Sequence, residues 1–241
     1  MMKKITSLII VLAMLVTTLF CFNVMSAFAA KPTSGTCGKN VKWTLNTTTG
    51  VLTLTGKGAT MDCGETAIKG LAPWNESREL IKSIVVGEGI TSLGQLLFNK
   101  CTVAESVSLP STLTKMSNTK FAKYGTFREC TSLKSVTMPA NLEMIGPYCF
   151  LDCTALTTVI LNDKLTSIGN YAFNGCTALK SIKFPDSLTS IGLSSFEGCT
   201  DLTTVTYGMG MTETGNMAFR NASVSIINFS STITEISPWS F

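Results

Sequence analysis

Nine cysteines and not one histidine limit the chemistry open to this 241-residue chain. A cysteine nucleophile is usually activated by a neighbouring imidazole. Without histidine that pairing is lost, together with Ser-His-Asp triads, His-ligated zinc and imidazole acid–base work. Thiolate metal sites need sulfurs that converge on one ion. Cys101, Cys130, Cys153, Cys176 and Cys199 instead recur at intervals of 29, 23, 23 and 23 residues, and no Cys-x-x-Cys pair occurs. Such spacing reads as one small, buried rung of a repeat, the alternative being a row of redox or metal thiols. Cys149 sits beside Phe150 where other units carry Ala172, Ser195 and Ala218, and reads as a small packing residue. Cys37 and Cys63 lie outside the repeat and flank a candidate hairpin, which makes them the candidates for a disulfide. Carboxylates offer the other catalytic route, because glycoside hydrolysis needs two that converge. Asp152, Asp163, Asp186, Glu197 and Asp201 fall at unrelated offsets and read as solvated turn residues. No glycine-rich phosphate loop or dinucleotide fingerprint occurs. The expectation is a protein with no catalysis, no cofactor and no metal.

The period of those cysteines runs through the whole second part of the chain. Phe98, Phe127, Phe150, Phe173, Phe196, Phe219 and Phe241 are separated by 29, 23, 23, 23, 23 and 22 residues. Leu133, Leu156, Leu179 and Leu202 keep step with them, followed by Val136, Val159, Ile182 and Val205, and then by Met138, Leu161, Phe184 and Tyr207. Pro139, Asn162, Pro185 and Gly208 end each apolar stretch with a turn former, and Ile145-Gly146, Ile168-Gly169 and Ile191-Gly192 precede the next Phe. A unit of 23 residues cannot bury its own apolar side chains. It is stable only when neighbours stack and equivalent residues form continuous ladders. The reading is seven units over residues 81–241, each giving one short strand to a parallel sheet and returning through a short helix or 3-10 turn. At roughly 4.8 Å per strand the array would be roughly 30 Å wide.

Period-2 alternation sorts the strand residues. Val136 and Met138 point inward, which leaves Ser135 and Thr137 outward, with Thr158 and Ile160, Ser181 and Lys183, and Thr204 and Thr206 as their counterparts. That column is one candidate ligand-binding face. A second candidate is the insertion between Met116 and Phe127, where Lys120, Phe121, Lys123 and Tyr124 mix aromatic and cationic groups in a segment extruded from the repeat. The competing reading is a tolerated insertion whose aromatics tuck onto the return face.

Ahead of the repeats, Val41, Trp43 and Leu45 alternate with polar residues, 46–50 is turn-rich, and 51–55 continues as a second strand. Residues 30–80 therefore read as a β-rich module that caps the array. Trp43 and Trp74 are large enough to cover its first core face, with carbohydrate stacking as the alternative role. Residues 1–29 read as an export signal: Lys3 and Lys4 are followed by an apolar run over 5–22 and by Ala27 and Ala29 in small-x-small spacing. An uncleaved anchor is the competing reading, since the run approaches the length of a membrane span. Phe20 before Cys21 excludes lipoprotein processing, which needs a small residue there. Loss of Lys3 and Lys4 would leave 17 basic against 15 acidic residues with no basic run, which argues against a nucleic-acid partner.

Units such as LKSIKFPDSLTSIGLSSFEGC resemble the leucine-rich repeats of BspA-like bacterial surface proteins, and SGTCGKNVKWTLNTTTGVLTLTGKGA followed by PWNES resembles the β-rich module that precedes such repeats. The resemblance implies an α/β-type solenoid with a parallel sheet on one face, preceded by a small β-hairpin module. It also implies a secreted or cell-surface protein engaged in adhesive or protein–protein interactions, with an extracellular protein or glycan as partner. The competing expectation is an architectural fragment of a longer surface protein whose binding or anchoring part lies elsewhere.

Overall fold

Side-chain alternation dictates the first elements. Val41, Trp43 and Leu45 are buried, while Lys42, Thr44 and Asn46 face solvent. In the computed structural model, which describes residues 31–64, 70–117 and 124–241, this stretch is strand β2 (Val41–Asn46). It is flanked on both sides by antiparallel partners, β1 (Ser34–Gly38) and β3 (Val51–Gly56). Asn46 makes the turn, its Oδ1 accepting from the N–H groups of Thr48 and Thr49 at 3.0 and 3.1 Å. The expected export signal lies outside the described residues.

After β4 (Gly58–Ala59) and a 3-10 helix (Asn75–Leu80), the chain climbs in stacked turns that feed two strand ladders. The first ladder is the one expected. It runs β5 (Ser83–Val86), β7 (Ser106–Ser108), β9 (Ser135–Thr137), β11 (Thr158–Ile160), β13 (Ser181–Lys183), β15 (Thr204–Thr206) and β16 (Ile226–Asn228). β3 pairs parallel with β5, so the N-terminal hairpin supplies the strand on which the ladder grows. Hydrogen bonding is interrupted between β7 and β9 and between β11 and β13, although those strands still lie side by side. The second ladder is a six-stranded parallel sheet of β4, β6 (Ile90–Leu93), β8 (Lys115–Met116), β10 (Met144–Ile145), β12 (Ser167–Ile168) and β14 (Ser190–Ile191).

The second ladder corrects one expectation. The return segments contain no helix among the described residues; they are short strands, two residues long from β8 on, followed by turns closed by bonds of the 3-10 type, as where Cys153 N–H donates to Phe150 O at 3.2 Å. Two features of the sequence exclude a helix. The β-branched Ile145, Ile168 and Ile191 point inward, and the glycine after each lies against the backbone of the preceding unit. A Cβ on Gly146 would meet Ser117 O at 2.5 Å, and one on Gly192 would meet Asn170 N at 2.4 Å, so close approach rather than an unusual φ demands glycine. In the turns carrying Phe98, Phe150, Phe173, Phe196 and Phe219 the residues two before and two after the ring lie in the left-handed region. Tyr148 and Asp152 (both φ 57°) flank Phe150, and Tyr171 and Gly175 (φ 56° and 72°) flank Phe173.

The core is a set of columns. Phenylalanine rings stack at 5.0 to 5.4 Å from Phe98 to Phe241, and Trp74 continues the stack below Phe98 at 5.6 Å. Trp43 closes it edge-on at 5.5 Å from Trp74. Phe127 holds its place at 5.0 Å from Phe98, and Met116 pairs in register with Leu93 and Ile145, so the insertion between them leaves the ladders intact. Threonines stitch successive turns: Thr166 and Thr189 donate to the carbonyls of Glu143 and Thr166 at 2.9 and 3.0 Å.

Candidate binding face

The cysteine column is structural. All eight cysteines among the described residues are buried and free. Cys130, Cys153, Cys176 and Cys199 each donate an S–H to the carbonyl of the Phe one unit earlier, at 3.1 to 3.3 Å. Each of those carbonyls also accepts the backbone N–H three residues on, as where Cys130 N–H donates to Phe127 O at 3.2 Å, so the thiol adds a second bond to an acceptor already paired. Burial pushes the thiols up, Cys101 and Cys199 to about 12, which keeps them neutral and unreactive. Cys37 and Cys63 are likewise buried, unbridged thiols pushed up to about 12 by burial. They are brought together where Met61 N–H bonds Cys37 O at 2.7 Å.

The carboxylates do not converge either. Asp186 Oδ1 accepts from Met209 N–H at 2.9 Å, and Glu197 pairs with Arg220. Burial and the neighbouring Glu129 charge raise the Asp152 carboxyl. Among the described residues no group of three or more His, Cys, Asp or Glu side chains could hold a metal ion.

The outward column is assembled as the alternation requires. Ser135 lies beside Thr158 and Thr137 beside Ile160, while Ser181 lies beside Thr204 and Lys183 beside Thr206. Val136, Val159, Ile182 and Val205 fill the inward side and are buried. Ser135, Thr137, Thr158, Ile160, Ser181 and Lys183 are exposed, Ile160 at 54%. Thr204 and Thr206 are half-buried, because β16 extends the sheet past them and Asn228 Nδ2 donates to Thr206 Oγ1 at 3.1 Å. Among the described residues Ser135, Thr137, Ser181 and Lys183 make no side-chain hydrogen bond. The result is a rigid strip of hydroxyls with one aliphatic and one cationic side chain.

Of the second candidate, Lys120, Phe121 and Lys123 lie outside the described residues. Tyr124 is half-buried and packs on the core, with the Arg128 guanidinium 5.7 Å from its ring centre. Its carbonyl accepts from Ser117 Oγ at 3.2 Å. Tyr124 therefore carries packing duty.

Stacked turns of constant period, two parallel ladders and columns of Phe, Leu and Cys define a leucine-rich-repeat solenoid. The chain belongs to the BspA-type leucine-rich-repeat family, whose model matches it in six copies over residues 76–126 and 123–241. Among solved structures, a leucine-rich-repeat protein from T. pallidum is 18% identical with a TM-score of 0.60, over 84% of this chain and 85% of that one. A leucine-rich-repeat protein from Eubacterium ventriosum is 18% identical over 86% and 85% of the two chains, with a TM-score of 0.41. The pneumococcal vaccine antigen PcpA is 13% identical over 83% and 72%, with a TM-score of 0.44. No curated protein sequence matches. Leucine-rich-repeat families are in general binding proteins rather than catalysts. No helix among the described residues is long and apolar enough to cross a membrane.

Proposed function

We propose that this chain is exported and acts outside the cell or at its surface as a non-catalytic binding protein. Its exposed strand column, from Ser135 and Thr137 to Thr204 and Thr206, captures an extracellular protein or glycan. In this reading residues 1–29 direct export, residues 30–80 cap the array and residues 81–241 present the face. The observation that carries it is that four of the outward side chains are not used by the fold: the hydroxyls of Ser135, Thr137 and Ser181 and the Lys183 ammonium have no side-chain partner among the described residues. A rigid row of unspent hydrogen-bonding groups around exposed Ile160 suits recognition at low ordering cost.

The test is surface plasmon resonance against a panel of glycans and extracellular proteins, repeated with an Ile160→Asp, Lys183→Glu double variant. Both positions point outward, so the melting temperature should stay within about 2 °C. Affinity for the partner identified should fall about tenfold or more. Unchanged affinity in a folded double variant would remove this face from consideration.

A further inference from the structure

Two of the buried cysteines stand outside the repeat, and the fold brings them to one place. Cys37 lies in β1, and Cys63 follows β4. The end of β1 runs antiparallel against residues 59–61. Cys37 O accepts from Met61 N–H at 2.7 Å, and a Cβ on Gly38 would lie 2.5 Å from Ala59 O and 3.2 Å from Thr60 Cα. Cys63 continues the same segment, anchored by its own N–H to Gln95 O at 3.0 Å. Both side chains turn into the core, at 0% and 3% exposed. Cys63 is raised by burial first, then by the Asp62 carboxylate and by Cys37, so the two thiols feel each other.

Hydrogen bonding sets this pair apart from the ladder. Cys130, Cys153, Cys176 and Cys199 each commit an S–H to a carbonyl, so a bond between neighbouring rungs would give those contacts up. Cys37 and Cys63 make no side-chain hydrogen bond among the described residues, and joining them gives up none. β1 is also the strand that a link would help. It forms the outer edge of its five-stranded sheet and pairs with β2 alone. A bond from Cys37 to Cys63 fastens that edge to the segment that opens the second ladder, where β4 pairs with β6.

We infer that Cys37 and Cys63 form a disulfide when the protein folds in an oxidising compartment, while the ladder cysteines remain thiols. The inference rests on the proposed export only for where oxidation takes place; the pairing belongs to the fold. The bond forms during folding, before the core closes over the sulfurs. One thiolate attacks a disulfide oxidant, of which oxidised glutathione is the simplest, and the second thiolate then displaces the mixed disulfide. One S–S bond is made and one is broken; the two cysteines lose two protons and two electrons, and two glutathione thiols gain them.

Refolding the reduced full chain in a buffer of reduced and oxidised glutathione tests the pairing without export, so its failure leaves the binding reading standing, and a failure of export leaves the pairing standing. Alkylation followed by peptide mass analysis should give one linked pair, Cys37 with Cys63, two hydrogens lighter than the separate peptides. Cys101, Cys130, Cys153, Cys176 and Cys199 should all be recovered alkylated. Dithiothreitol should lower the melting temperature of the refolded protein by about 5 °C or more, because the unfolded chain is then released from its closed loop. A Cys37→Ala, Cys63→Ala variant should melt at one temperature with and without dithiothreitol. Alkylated Cys37 and Cys63 after refolding, or either of them linked to a ladder cysteine, would overturn the inference. So would a dithiothreitol shift of equal size in the double variant.

Discussion

Truncating Phe173 to alanine probes whether the aromatic column holds the array together. Its ring is fully buried and lies between Phe150 and Phe196, at 5.1 Å from each and within 10° of parallel to both. Deleting a buried aromatic from a core that cannot collapse costs about 3–5 kcal/mol. The two stacked pairs account for about 0.5–1.5 kcal/mol each of that. Collapse is resisted here because the neighbouring rings are fixed by backbone bonds one unit apart, as where Phe173 N–H donates to Ser195 O at 2.8 Å. A cost near the upper end, about 4 kcal/mol, follows. Phe241 is the control. It is 43% exposed and stacks on Phe219 alone, at 5.3 Å, so Phe241→Ala should cost about 1–2 kcal/mol. Urea melts followed by far-ultraviolet circular dichroism give both values. Equal losses at the two positions, or a loss below about 2 kcal/mol at Phe173, would refute the claim that the column bears the stability of the array.

The buried thiols predict a fall in stability at alkaline pH. Burial raises Cys101 and Cys199 from 9.0 to about 12, and Cys130, Cys153 and Cys176 also stand well above 9.0, so the folded chain keeps protons that the unfolded chain releases. Their contribution is complete below about pH 8 and shrinks between 9 and 12, by about 1.4 kcal/mol per pH unit for each thiol. A Cys153→Ala, Cys176→Ala variant should lose less on going from pH 8 to 10.5 than the native chain does; equal losses would contradict this. Native-state thiol titration at pH 8 should leave the five ladder cysteines unreacted until denaturant is added. Asp152→Gly should raise the melting temperature by about 2–4 °C, because Asp152 holds φ 57° where Gly175 and Gly198 sit at 72° and 73° in later units. A lower melting temperature would show that its carboxylate contributes more than the strain costs.

The first ladder was legible because its signal is redundant. Val136, Val159, Ile182 and Val205 repeat at the same interval as the Phe, Leu and Cys columns, and any one of these series fixes the register of the rest. The second ladder was missed because its strands are two residues long. Ser167-Ile168 and Ser190-Ile191 are too brief to show alternation, and their pairing comes only from stacking. The left-handed positions were half visible. Glycine at 175 and 198, and Asp152 at the equivalent place, mark one of them, whereas Tyr148, Tyr171 and Ser194 at the other give no local cue and adopt the conformation because the units above and below impose it. The exposure of Ser135 and Thr137 followed from alternation, but the half-burial of Thr204 and Thr206 depends on a neighbouring strand whose unit is one residue short.

Repetition turns departures into evidence. Where seven rungs are phenylalanine, the chemistry common to all of them is packing, and Trp74 differs from them by an N–H as well as by size. Size alone answers to its position at the N-terminal end of the stack, where Trp43 meets it edge-on. The N–H does not, since no described residue accepts it. The same reasoning applied to the outward columns gives a weaker result. Ser, Thr, Ile and Lys alternate there without a repeated type, so no single residue stands out, and the face is defined by its exposure and its unspent hydrogen bonds. The departure falls where the stacked turns meet the β1–β3 hairpin and the 3-10 helix. Two structural rules overlap there, and the residues 75, 78, 99 and 100 that border a cavity of about 310 Å³ come from a 3-10 helix and from the first Phe turn, which no later unit brings together.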